Sequence, residues 1–372
     1  MDFAFTSDQL LLKNSARAFL DEHCTPATVR LLWEDKRGES EAMWKEMAQL
    51  GWLGLALPEA HGGSDLGMVE TAILLDELGR ASYPGPYLPT VIAAMAFSAA
   101  GSDAQRTRWL PAICAGSARA ALALIDGELS SGPEAITTRA DKSGAGWTLS
   151  GVKPFVAWAH VADLLVVPAR GPEGVTLYLV DPSSRGITQT PVTGMDLATR
   201  WVNVTLDRVP VGADAVLGKP GDGQRLLEAI LRAGAVGAAA EMLGAARRCL
   251  DMAVEYAKVR EQFGQPIGSF QAIRHKCAEM LLEVENSHAA VYYAAWALDA
   301  KADDAEIAAS VAKAYVSDSA RKVCGEAIQV HGGIGFTWEY DLHLYFKHAK
   351  ALEVQYGDAD YHRELIARHV CA

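Results

Sequence analysis

From Thr6 to about Cys114 the apolar positions recur at helical spacing. Thr6, Ser7 and Asp8 offer an N-cap ahead of QLLLKNSARAFLDEH. The same period runs through EAMWKEMAQLGWLGLAL and VETAILLDELGRA, and Gly62-Gly63 and Pro84-Gly85-Pro86 break it. Between about Ser117 and Gly218 the pattern changes to short β-rich runs: GWTLSG, VADLLVVPAR, GVTLYLVDP and RWVNVTLDRVPV. In the last of these, Val202, Val204 and Leu206 alternate with Asn203, Thr205 and Asp207, the period of a half-buried strand. Gly, Pro, Ser and Asp separate the runs, so the pattern predicts a compact antiparallel sheet or barrel. From about Asp222 the helical period returns in longer stretches. In CLDMAVEYAKVREQFG, Leu250, Ala253, Val254 and Ala257 share a face that Arg247, Asp251, Glu255 and Lys258 avoid. A series of such helices predicts a four-helix bundle. The expected class is α+β in three parts: an N-terminal helical domain (1–116), a middle β domain (117–220) and a C-terminal bundle (221–372).

With 372 residues, 50% of them hydrophobic, the chain is long enough for a large core and more than one domain. A net charge of −12 argues against a nucleic-acid binder, which needs a basic patch or stripe. It does not exclude an anionic small ligand, because a site requires only local positive charge. Cys24, Cys114, Cys249, Cys277, Cys324 and Cys371 are scattered, without metal-ligand spacing, and read as reduced, mostly buried thiols. The opening MDFAFTSDQLLLKNSARAFL lacks the basic and apolar regions of a signal peptide. The longest apolar run, VIAAMAFSAAG from Val91, is too short to span a bilayer. A soluble, cytoplasmic protein is expected. Ser130-Ser131 with His160 or His331 does not make a hydrolase triad, because no nucleophile-elbow pattern surrounds the serines. His331, His343 and His348 have no carboxylate set at metal spacing and are expected at helix ends or on the surface.

Two segments carry candidate chemistry. In VREQFGQPIGSFQ (Val259–Gln271), Arg260 is a permanent planar cation able to fork onto a phosphate. Phe263, Phe270 and Gln271 offer apolar faces and an amide to an adenine. In IQVHGGIGFTWEYDLHLYFKHAK (Ile328–Lys350), Gly332, Gly333 and Gly335 let backbone N–H groups approach a diphosphate closely. Gln329, one turn earlier, is a hydrogen-bonding candidate. Taken singly, a GGxG is usually a turn between helices and an RxxFG a solvated arginine beside a core phenylalanine.

Together with QLGWLGLALPEAHGGSDLG (Gln49–Gly67) and VTLDRVPVGADAVLG (Val204–Gly218), and in the order helices, sheet, helices, these segments resemble the acyl-CoA dehydrogenase family across essentially the whole chain. The resemblance implies FAD as cofactor and α,β-desaturation of an acyl-CoA thioester as activity. It also implies electron-transferring flavoprotein as acceptor and an oligomer in which Arg260, Phe263, Phe270, Gln271, Gln329, Gly332 and Gly333 hold the adenine-diphosphate end of a neighbour's FAD. In the family a glutamate desolvated toward neutrality takes the α-proton. Its usual place is a Tyr-Glu-Gly-Thr stretch, and with RELIAR (Arg363–Arg368) fixing the alignment, Gln355-Tyr356-Gly357-Asp358 stands there instead. Tyr356 occupies the glutamate's position, and a phenol with a reference value of about 10 is a poor base. The family's other base position, on RLLEAILRAGAVGAAAEMLG, falls at Gly234, followed by Ala235; Glu228 and Glu241 read as ordinary helix residues. Asp358 is a weak substitute candidate, and the catalytic group is otherwise unassigned.

The flavin-ring side has drifted too. The family's Thr-Glu-Pro loop reads LALIDGELSSGPEAITT here, with Asp126, Ser130 and Ser131 as its polar residues, and its Trp-Ile-Thr/Ser stretch reads Phe155-Val156-Ala157. Phe155 can still pack beside a flavin; Ala157 has lost the hydroxyl. Elements serving a neighbour's FAD are present while elements serving the chain's own chemistry are not. That asymmetry resembles the subunit without the catalytic glutamate in the α2β2 acyl-CoA dehydrogenases of bacterial steroid side-chain catabolism. The other readings are a homotetrameric enzyme with an unusual base such as Asp358, and a binding protein on the same fold without redox chemistry.

Overall fold

The computed structural model describes residues 4–126, 132–196 and 198–371. The N-terminal part is built of α1 (Ser7–His23), α2 (Pro26–Glu34), α3 (Glu41–Gln49), α4 (Met68–Arg80), α5 (Tyr87–Ala100) and α6 (Asp103–Cys114). Local chemistry fixes several starts. Thr6 accepts from the backbone N–H of Gln9, and the Gln9 side chain accepts from that of Thr6, a reciprocal capping box. Thr25 caps α2 with Pro26 in its first turn, and Ser102 with Gln105 repeats the box on α6. Helix α4 is buried almost all round, Asp76 and Glu77 included, with Glu77 paired to Arg17 of α1.

The middle part contains β1 (Ala120–Leu122), β2 (Arg139–Ser143), β3 (Gly146–Ala157), β4 (Leu164–Gly171), β5 (Gly174–Val180), β6 (Ile187–Val192), β7 (Trp201–Val211) and β8 (Val216–Leu217). Their order is β6-β7-β3-β2-β4-β5-β8, with β1 added on β4. The sheet is mixed rather than purely antiparallel: β1 and β2 each pair with β4 in parallel. The alternation in β7 is realised, with Val202, Val204, Leu206 and Val209 buried against Leu149, Val156 and Val167 in a core of their own. Two register shifts interrupt the β3–β7 ladder, one of them between Lys153 and Val156. That bulge holds Phe155 at φ +50° and turns its ring out of the sheet.

The C-terminal part starts with α7 (Gly223–Val259), about 55 Å long at 1.5 Å per residue. A small hairpin, β9 (Glu261–Gln262) and β10 (Gln265–Pro266), leads into α8 (Gln271–Asp299), then α9 (Ala305–His331), α10 (Leu342–Glu353) and α11 (Ala359–Val370). Three long helices form the bundle, and its fourth side is shared by the short α10 and α11 rather than by one helix. The alanine-rich face of α7 lets α4 come close. A Cβ on Gly79 would lie 1.9 Å from the Glu241 carbonyl oxygen, and one on Gly244 would lie 1.8 Å from that of Asp76. The two backbones therefore touch, which fastens the N-terminal helices to the bundle. Cys24, Cys114, Cys249 and Cys324 are buried free thiols. Among the described residues no helix is long and apolar enough to cross a membrane, and no cluster of potential metal ligands occurs.

Candidate functional site

Two cavities matter. The first, of about 450 Å³, lies where the sheet meets the bundle. Leu122, Leu124 and Ile125 give it one wall, Phe155, Ala157 and Trp201 another, and Leu231, Lys350, Val354 and Tyr356 a third. Phe155 is edge-on to Trp201 at 6.5 Å, and its backbone N–H donates to Asn203 Oδ1 at 3.1 Å. Of the two positions where the sequence reading places the family's base, Tyr356 lines this space and Gly234 lies behind it. Tyr356 is buried, and burial together with the nearby Glu241 carboxylate pushes its hydroxyl far above the ordinary phenol value. Gly234 packs directly against the ring: a Cβ there would lie 2.3 Å from Tyr356 Cδ1. Asp358 is not in the cavity. It is exposed and caps α11, its carboxylate accepting from the Tyr361 N–H at 2.8 Å.

The turn carrying Tyr356 is firmly held. Tyr356 sits at φ +57°, a left-handed conformation uncommon for a bulky residue. The fully buried Lys313 Nζ donates to the carbonyls of Glu353 and Gly357, each at 2.7 Å, and burial presses this ammonium down to about 7. Burial and Lys313 press His362 down to about 4, so its ring is neutral. Its Nε2 donates to the Tyr356 carbonyl at 3.0 Å, and its Nδ1 accepts from Ser310 at 3.2 Å.

Asp196 is the one carboxylate among the described residues lining the cavity, and it is already engaged. His348 Nδ1 contacts it at 3.0 Å and His348 Nε2 contacts Glu241 at 3.4 Å. Asp196 also accepts from the Ala198 N–H and the Thr199 hydroxyl. Burial alone would lower the histidine; the two carboxylates reverse that and raise it to about 10. Burial would raise Asp196, but His348 and the hydrogen bonds outweigh it and hold the carboxyl below its usual range. His348 is thus 4% exposed, not the helix-end or surface residue expected, and Glu241 is not an ordinary helix position. The bridge joins a loop of the sheet domain to α7 and α10, a pairing far apart in sequence.

Asp126 is buried as well. Lys153 lies 2.7 Å from it, at an angle poor for a hydrogen bond, so the contact acts as a charge pair. The same carboxylate accepts from the Thr137 and Thr138 N–H groups and the Thr138 hydroxyl. Burial lowers Lys153 to about 8 against the pull of Asp126. Asp126 is thus already engaged within the sheet domain; Ser130 and Ser131 lie outside the described residues. Lys313 could have been suspected from sequence, since it interrupts the apolar stripe of Ala309, Ala312, Val316 and Ala320.

The second cavity, of about 680 Å³, opens on the bundle surface between the α7–α8 hairpin and the end of α9. Arg260, Phe263, Phe270, Gly332 and Gly333 line it together, as do Tyr256, His331 and Ile334. Phe263 sits at φ +55°, 94% exposed, edge-on to Phe270 at 6.0 Å. His331 is stacked on Tyr256 at 4.4 Å and hydrogen-bonded to the Ala327 carbonyl and the Tyr340 hydroxyl. Gln271 opens α8 and Gln329 lies in the last turn of α9; both are exposed beside the cavity without lining it. Gly332 needs to be glycine for its φ of +65° and ψ of −142°. Gly333 has no positive φ, and a Cβ on it would meet nothing of this chain within 4 Å. Nothing internal demands glycine there; a group approaching from outside would. An exposed arginine, aromatic edges and bare backbone fit the adenine-diphosphate part of a dinucleotide.

Comparison with known proteins agrees with this geometry. Residues 6–117 match the acyl-CoA dehydrogenase N-terminal domain, and residues 221–371 match the acyl-CoA dehydrogenase C-terminal domain. The acyl-CoA dehydrogenase IpdE2 of Mycolicibacterium smegmatis is 32% identical over 92% of this chain and 93% of its own length. Among solved structures, the steroid ACAD Tcur3481-Tcur3483 superposes with a TM-score of 0.90 at 33% identity, covering 98% of each chain. The ChsE4-ChsE5 complex of Mycobacterium tuberculosis gives 0.92 at 29% identity, covering 100% of this chain and 99% of that one. Butyryl-CoA dehydrogenase of Megasphaera elsdenii gives 0.93 at 26% identity, covering 100% of both. Helices, mixed sheet and bundle in this order, with the exposed arginine–glycine cavity and matches at both ends of the sequence, make the chain a member of the acyl-CoA dehydrogenase family.

Proposed function

We propose that this chain is a subunit of a heteromeric, cytoplasmic FAD-dependent acyl-CoA dehydrogenase, in which it completes a partner chain's FAD site and leaves proton abstraction to that partner. The observation that carries the reading is the state of its own cavity. Tyr356 and Gly234 stand where the sequence reading places the base, and Asp196, the carboxylate among the described residues lining the cavity, is held by His348. Desaturation requires a carboxylate free to take the α-proton. A tyrosine whose hydroxyl is held far above neutrality does not supply one.

Bound flavin supplies the acceptor for the hydride leaving the β-carbon. This chain's residues then act on the far end of a partner's cofactor. Arg260 would neutralise the diphosphate, Phe263 and Phe270 would cover the adenine, and the backbone N–H groups at Gly332 and Gly333 would donate to the phosphates. Gln271 and Gln329 supply amides at the rim. Two of the similar structures bear the names of two-chain assemblies, Tcur3481-Tcur3483 and ChsE4-ChsE5, the first a steroid ACAD. An α2β2 assembly with a second acyl-CoA dehydrogenase-like chain, a bulky polycyclic acyl-CoA as substrate and electron-transferring flavoprotein as acceptor follow as the working assignment.

The test is FAD per protomer, from the visible flavin bands with mass and subunit ratio. The chain is expressed alone and then with a neighbouring acyl-CoA dehydrogenase-like chain. The proposal expects no flavin alone and about one FAD per two chains in the mixture. About one FAD per protomer in the chain alone would make it a complete flavoenzyme and end the proposal.

A further inference from the structure

We propose that Tyr356 and Gly234 form a plug and socket that closes the bundle end of this chain's own cavity to an acyl thioester. The inference rests on the reading above, that the partner chain performs the chemistry, and adds that this chain excludes the substrate by shape as well as lacking a base.

Gly234 lies within α7, is buried and has no positive φ, so its backbone does not require glycine. Glycine inside a helix is unfavourable relative to alanine. What requires it is the tyrosine: a Cβ at 234 would lie 2.3, 2.4 and 2.8 Å from Cδ1, Cε1 and Cγ of the ring, well inside contact distance. The ring in turn is not loosely placed. Its backbone is left-handed, at φ +57°. Three buried hydrogen bonds fix that backbone: Lys313 to the carbonyls of residues 353 and 357, and His362 to the carbonyl of Tyr356 itself. The ring forms the cavity wall beside Leu231 and Val354, at the position where the sequence reading places the family's catalytic carboxylate.

The experiment uses the full chain in the assembly it forms with its partner. The probe is S-octyl-CoA, a thioether with no acidic α-proton, counted per copy of this chain by titration calorimetry. The expected result is no binding in this chain's cavity in the wild type and one additional probe per copy in Tyr356→Ala, with affinity at least tenfold above any residual wild-type binding. In parallel, Gly234→Ala lowers Tm by several degrees in the wild-type background, and Gly234→Ala with Tyr356→Ala recovers most of that loss, because the new methyl enters vacated space. If Gly234→Ala does not fold, recovery of folding in the double variant supports the plug in the same way. Equal probe binding by wild type and Tyr356→Ala, or a Gly234→Ala protein as stable as wild type, would overturn the plug. Failure of the subunit reading shows itself separately, as one FAD per protomer in the chain expressed alone.

Discussion

Changing His348 to glutamine removes the positive charge from the centre of the Asp196–His348–Glu241 bridge and keeps a side chain able to hydrogen-bond. In the folded protein the ring titrates at about 10, against 6.5 ordinarily. At about 1.4 kcal/mol for each tenfold change in proton affinity, protonation of this one ring stabilises the fold by at most about 5 kcal/mol. Removing one member of a buried charge bridge typically costs about 3–5 kcal/mol, so both routes give the same order. Folding raises the value, so the contribution is complete below pH 6.5, shrinks as pH climbs, and is gone above about 10. Lys313 and Lys153 work in the opposite sense: burial lowers them to about 7 and about 8, so stability gains from them over much of the same window. The wild-type profile therefore mixes opposing slopes, and the informative quantity is the gap between wild type and His348→Gln. Thermal melts at matched protein concentration, where assembly affects both alike, measure it. A gap of several degrees is expected at pH 6.5, closing toward pH 10. A gap that stays constant across that range would refute the reasoning, because the histidine would then be neutral in the fold and matter for packing alone.

Arg260→Ala removes an exposed charge and should leave the fold intact while weakening FAD retention by the assembly roughly 10–100-fold, the loss of one charge-assisted phosphate contact. Unchanged flavin content after dialysis would contradict its assignment. Gly79→Ala and Gly244→Ala drive a methyl into a facing backbone carbonyl at 1.9 and 1.8 Å, and each should cost more than about 3 kcal/mol, read as loss of soluble expression or a collapsed melting temperature. Lys313→Met leaves two buried carbonyls unpaired and should destabilise. The wild-type advantage should widen between about pH 7 and 10.5, since the folded state sheds a proton that the unfolded lysine keeps. An advantage that stays flat across that window would show Lys313 to be charged throughout.

The three-part order was legible because it rests on local periodicity: residues 202–206 alternate, and the bundle helices carry apolar stripes. The parallel pairing of β1 and β2 with β4 was not, because it depends on which strands meet, and short apolar runs do not encode that. The surface cavity was readable from Arg260 and the Gly332-Gly333 pair, which the fold brings together on its wall. The buried polar devices escaped for the same reason as the sheet pairing. His348 meets Asp196 across 152 positions and Lys313 meets Gly357 across 44, so each looks like an ordinary charged residue on its own helix. Lys313 left one trace, a cation within an apolar stripe. Gly234 left another, a glycine where a helix prefers alanine, and only the ring beside it explains why.

The exposed hairpin at Phe263 bears on the life of the protein before assembly. Phe263, Phe336 and Val259 are 94%, 78% and 75% exposed. In the proposed assembly, a newly synthesised copy would carry these apolar side chains exposed until the partner chain covers them. Copies made in excess of that partner would then be prone to aggregation, and the steady amount of this protein would follow the scarcer of the two chains. Producing them from neighbouring genes in step would be a matter of protein quality control as much as of catalysis.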